Sequence, residues 1–168
     1  MAIFLLVSIL AFSRYLDYSR KKSLRSQAGT TSIHGEAAHS LRTEKMRIRK
    51  VNRDRGVIGE LGVAKDLAYL ASEYGLTVLH DLSIPESKAN IDHILISRKV
   101  VYVIDAKNYT GIVKISPNKS GKKVLRVGGR DQTGLVIKAK KYAEEVENFL
   151  DEEGINVKVL PLLAFYQA

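Results

Sequence analysis

The chain has 168 residues, enough for one domain with a sizeable core. It contains no cysteine, which excludes disulfides and thiolate metal sites, so any metal must be held by oxygen donors or by four scattered histidines. A formal charge of +9 suits a polyanionic partner, either nucleic acid or an anionic membrane surface, without choosing between them.

Residues 1–22 begin MAIFLLVSILAF, apolar except for Ser8, and are followed by Arg14, Arg20, Lys21 and Lys22. This pattern predicts an apolar helix that anchors the chain in a membrane through residues 2–16. The run falls short of the roughly 20 residues of an ordinary span unless Tyr15 and Leu16 extend it while Arg14 snorkels. A secretory signal would carry its positive charge before the apolar run and small residues after it, and neither is present. The basic flank on the C-terminal side places the rest of the chain in the cytoplasm.

Residues 23–55 read as a polar linker and basic arm. Ser23 to Ser40 shows no apolar periodicity, and His34 and His39 read as loop residues. Leu41 to Arg55 is strongly basic. Arg47, Arg49 and Lys50 are candidate phosphate contacts, with a membrane-surface patch or a solvated helix face as the rival readings.

Residues 56–168 form the main domain. Asp54 predicts a cap for a helix starting near Arg55 or Gly56. Val57, Leu61, Ala64, Leu67 and Ala71 recur at helical spacing, and Glu60 shares the stripe of Ala64, Leu67 and Ala71. A carboxylate at the rim of an apolar stripe needs a partner. Gly59 and Gly62 flank it; they cost helix stability but permit close approach to a sheet. Gly75 ends the helix, and Leu76 to Leu82 reads as a strand.

The segment NIDHILISRKVVYVIDAKNYTG, Asn90 to Gly111, predicts two strands, the second apolar on both faces and therefore central. Side-chain alternation puts Val101, Val103, Asp105 and Lys107 on one face. A connecting loop of two residues, Arg98-Lys99, or of four sets Asp92 opposite Asp105; a loop of three sends the acids to opposite faces. Facing carboxylates repel unless something positive lies between them, such as a divalent cation and the Lys107 ammonium. His93 then points the other way, as a core residue. Solvated acids at strand ends are the bland alternative.

Beyond this pair, Ile112 to Ile115 and Lys123 to Val127 predict a small hairpin. Its Lys114, Lys122 and Lys123 either contact phosphates or protect a sheet edge. Asp131 to Glu152 predicts an amphipathic helix whose inward stripe includes Gln132, and Val157 to Phe165 a last strand.

Glu60, Asp92 and Asp105-Ala106-Lys107 together resemble the PD-(D/E)xK, or restriction-endonuclease-like, nucleases. The wording GELG, IDHILIS and VYVIDAKNYTG resembles one branch in particular, the nuclease-related domain (NERD) family, from Gly56 onward. The resemblance implies an α/β fold with a restriction-endonuclease-like core of helix, three-stranded meander, helix and strand. To this the chain adds the small hairpin and the N-terminal apolar helix. It further implies phosphodiester hydrolysis with Mg2+ or Mn2+, on DNA in preference to RNA. Asp92, Asp105 and the Ala106 carbonyl would hold the metal with support from Glu60, Lys107 would orient water, and Gln132 would line the site. Two rivals predict no chemistry: a membrane-associated module that only binds nucleic acid, and a structural protein whose basic arm contacts anionic lipid.

Overall fold

The computed structural model describes residues 31–43, 50–85, 87 and 90–166. The apolar segment 2–16 lies outside the described residues, as do Arg47 and Arg49. Among the described residues, no helix is long and apolar enough to cross a membrane.

The fold is mixed α/β. A five-stranded sheet has the order β1-β2-β3-β4-β8, formed by Ser32–His34, Thr77–Ser83, Asn90–Ile96, Val100–Lys107 and Lys158–Phe165. Strands β2, β3 and β4 form an antiparallel meander, while β1 and β8 join its two sides in parallel. Helices α1 (His39–Thr43) and α2 (Lys50–Tyr74) precede β2, and α3 (Thr133–Glu152) precedes β8. The order helix, meander, helix, strand is the expected one. A separate small sheet of β5 (Val113–Pro117), β6 (Lys123–Val127) and β7 (Arg130–Asp131) intervenes before α3.

Strand β4 is central because both of its faces are apolar: Val101 through Ala106 are all buried, Asp105 included. On one face Tyr102, Ile104 and Ala106 pack under Val63, Leu67 and Leu70 of α2. On the other, Val101 and Val103 pack under Ala143 and Val146 of α3. Leu67 and Leu70 are fully buried, and each such side chain contributes about 1.5–3 kcal/mol.

The glycines of GELG set how closely α2 crosses the sheet. A Cβ at Gly59 would lie 2.8 Å from the Asn108 Cβ, and one at Gly62 would lie 2.2 Å from the Tyr166 ring. Between them, Glu60 is carried down onto the ends of β3 and β4.

The described part of the expected linker is ordered by tertiary contacts that leave no periodic signal. Three residues of β1 pair with Thr77, Val78 and Leu79. Helix α2 already includes Lys50, so Asp54 lies inside it rather than at its cap. Leu41 and Arg42 of α1 line a cleft with Arg53, Val57 and Ile58, giving this earlier turn of α2 a neighbour. After β6, Gly128 and Gly129 adopt positive φ and turn the chain back into β7, a third strand the hairpin reading lacked. Helix α3 starts at Thr133 rather than Asp131, because the Asp131 carboxylate accepts from the Thr133 N–H (2.9 Å) and hydroxyl (2.6 Å).

The pleat is reset beside the site. The β2–β3 ladder runs from Thr77↔Ile96 to His80↔His93 and resumes at Leu82↔Ile91, omitting Asp81 and Asp92. Leu79 and Leu82, and likewise Ile91 and Ile94, both pack toward α3 although three residues apart. Strict alternation would split each of these pairs across the sheet. Asp81 has φ 53°, a left-handed conformation uncommon for a residue with a side chain.

Gly59→Ala is expected to lower stability by about 1–3 kcal/mol through overpacking, outweighing the helix propensity alanine gains. Gly134→Ala in α3, where an added Cβ meets nothing within 4 Å, is expected to stabilise by up to about 1 kcal/mol. Urea unfolding of both variants checks the opposite signs.

Candidate active site

The site begins with a tight turn. Ser97 N–H donates to the Val100 carbonyl (3.0 Å), and the Ser97 hydroxyl accepts from the Val100 N–H (3.1 Å). Only Arg98 and Lys99 form the loop. The resulting register pairs Ile96 with Val101 and His93 with Ile104. The ladder ends there, and Asp92 meets the end of β4 through its carboxylate, which accepts from the Ala106 N–H.

The Asp92 and Asp105 carboxylates are held in different ways. Asp92 is half-buried, and its Oδ2 accepts from the Ala106 N–H at 2.8 Å. Asp105 is buried, and its Oδ1 takes the Lys107 ammonium at 2.6 Å. The same ammonium donates to the Ala106 carbonyl at 2.9 Å. Lys107 thus lies between the Asp105 carboxylate and a peptide oxygen, where opposite charge stabilises the buried acid. Asp105 Oδ2 has no partner.

Glu60 comes down from α2 and is only 7 % exposed, with Oε2 unpartnered. Burial pushes its pKa up to about 8, reinforced by Asp92, Asp81 and Asp105 and opposed by Lys107. Burial and then Asp105 push Asp92 up to about 6, against Lys107 and the Ala106 hydrogen bond. The site therefore concentrates more negative charge than Lys107 alone relieves.

The donor types gathered here are those a hard cation takes. Orphaned carboxylate oxygens on Asp105 and Glu60 want a proton or a cation, and carboxylate and carbonyl oxygens are the ligands that Mg2+ and Mn2+ prefer. Among the described residues no three acid or histidine side chains are gathered as a ready cage. What is on offer is Asp92, Asp105 and the Ala106 carbonyl, with Glu60 alongside.

The other expected site residues are placed as follows. Gln132 occupies the N-cap position of α3, half-buried, and its side chain makes no capping bond. Lys114, Lys122 and Lys123 are all exposed. Lys114 faces Arg126 across β5 and β6, whereas Lys123 faces Pro117 on the opposite face, so they do not form one basic ridge. Lys50 lies in α2. His93 is fully buried, its Nδ1 lying 2.9 Å from Nδ1 of His80.

Three participants escaped the sequence reading. His80 gives His93 a hydrogen-bond partner at Nδ1. Asp81 accepts from the Ser40 N–H and from Asn90 Nδ2 (2.9 Å), and these bonds outweigh burial to lower its pKa. Lys138 of α3 senses both Asp105 and Asp92. Its position on the border of the apolar stripe, between Leu135 and Tyr142, was the available signal.

The family described as Nuclease-related domain matches residues 55–166, about two thirds of the chain. No curated protein and no solved structure gives a significant match.

Site electrostatics give a pH prediction for the metal-free protein. Between its ordinary 4.5 and about 8, native Glu60 keeps a proton that the unfolded chain has lost, so stability falls as pH rises. Asp92 acts in the same sense between 3.8 and about 6. His93, lowered by burial from 6.5 to about 3, acts oppositely, adding stability as pH rises toward 6.5. Above about 6.5 the Glu60 effect stands alone among these three. In chelator, the urea midpoint is expected to fall from pH 6.5 to 8, and Glu60→Gln is expected to flatten that decline.

Proposed function

Because the chain belongs to the nuclease-related domain family, we propose that it is a restriction-endonuclease-like nuclease that hydrolyses phosphodiester bonds of nucleic acid, DNA in preference to RNA, with Mg2+ or Mn2+. The observation that carries this reading is the meeting of Asp92, Asp105 and Lys107 at one strand-pair end, under a buried Glu60, with two carboxylate oxygens left without partners. Membrane tethering through residues 2–16 and a cytoplasmic location are part of the proposal, supported by the apolar run and its basic flank.

Asp92, Asp105 and the Ala106 carbonyl would hold the ion, with Glu60 beside them. Such an ion lowers the pKa of water and neutralises charge on phosphoryl oxygens. Lys107, fixed between Asp105 and the Ala106 carbonyl, directs its remaining proton toward the attacking water or a phosphoryl oxygen. Glu60 accepts a hydrogen bond from that water, and Gln132 positions it or the strand. The water oxygen bonds to phosphorus and gives up a proton to solvent as the bond to one sugar oxygen breaks, and the departing oxygen takes a proton from solvent.

One observation favours a second reading. The Lys107 ammonium already supplies a cation to Asp105 and the Ala106 carbonyl, so the chain could bind nucleic acid without cleaving it. That module would bind in a salt-sensitive way, indifferent to Mg2+ and to Asp105→Asn.

Cleavage of labelled DNA separates the two. Lys107→Ala is expected to lower the rate about 10²–10³-fold, and Asp92→Ala or chelation to abolish it. Unchanged Mg2+-dependent cleavage by either variant would remove the catalytic assignment.

A further inference from the structure

Helix α3 lays a second lysine alongside the acids. Ala139 packs on Leu163 of β8, and Val146 packs with Val159, so α3 runs opposite to β8. Leu163 is the register partner of Asp105. Lys138, next to Ala139, is therefore level with Asp105. One turn on, Tyr142 packs with Val101 and Val103, on the sheet face that carries Asp105. The Lys138 ammonium lies 4.9 Å from the centre of the Tyr142 ring, a cation–π contact, and Lys138 remains exposed.

We propose that Lys138 binds a phosphate oxygen of the nucleic-acid strand seated over Asp92, Asp105 and Lys107, with the Tyr142 ring steadying its ammonium. This rests on the nucleic-acid reading above and concerns how the strand is seated rather than how it is cut. Lys107 commits two of its protons to Asp105 and the Ala106 carbonyl. Lys138 is the exposed charge at the same level, and an incoming phosphate would otherwise meet carboxylates there. Burial works against the Lys138 charge, but Asp105, then Tyr142 and Asp92, favour it, and the net effect raises its pKa above the ordinary lysine value. Lys141 on the same helix is a contrast of equal charge: it is exposed and lies 3.5 Å from Glu145.

The test measures binding of a labelled single-stranded DNA oligonucleotide to the 168-residue chain in detergent, with chelator present, across a salt series. Lys138→Met is expected to weaken binding and to reduce the slope of log affinity against log salt by about 0.7. Lys138→Arg is expected to restore the slope, and Lys141→Met to leave it unchanged. A Lys138→Met slope equal to that of the native chain, or a loss matched by Lys141→Met, would overturn the inference. If the native chain then cleaves with Mg2+, the nuclease reading survives that loss. A Lys138-dependent slope without cleavage would uphold the inference and sink the catalytic reading. No binding by the native chain would sink both.

Discussion

Burying negative charge is the constraint on which this fold turns. Glu60 and Asp105 sit almost wholly out of water, and Asp92 stands beside them. An isolated carboxylate in such a place is costly unless it is paired, hydrogen-bonded or protonated. The molecule uses all three answers: the Lys107 ammonium for Asp105, a peptide N–H for Asp92, and a raised pKa for Glu60. Each answer depends on where the backbone is placed. That is why so much of the surrounding architecture consists of close approaches: the tight Ser97–Val100 turn, the glycine crossings of α2, and the reset pleat at Asp81.

The site is also layered. The apolar stripes of α2 and α3 cover opposite faces of β4, so the acids appear only where apolar cover stops. On the α2 side, His93 and His80 meet through their Nδ1 atoms, and burial keeps both pKa values low. Two neutral rings therefore pack beneath the strand pair without adding to the charge above them.

Much of this was legible in the sequence because it follows from short-range periodicity. A two-residue connection between β3 and β4 fixes which residues face one another as far as His93 and Ile104, and this brings Asp92 and Asp105 to the same end of the strand pair. GELG announced a close crossing, because two glycines around one acid in an apolar stripe have few other uses. What escaped notice depends on distant pairing. Strand β1 has three residues and one apolar side chain, Ile33, so it is made by the edge of β2 and not by its own pattern. Asp81 looks like any strand acid until its φ is seen. Lys138 matters only because α3 is set at a particular height along β8, which no local count of residues reveals.

The link from Ser40 to Asp81 bears on where this unit of structure can be cut. Ser40 precedes the stretch shared with the family, yet its N–H and hydroxyl, the latter bonded by Asn90 at 2.9 Å, tie down the ends of β2 and β3. Trimming the protein to residue 55 would keep every acid and lysine of the constellation while discarding the buttress that holds Asp81 in its left-handed bend. The stretch matched to the family and the set of residues that brace the ends of β2 and β3 are not the same.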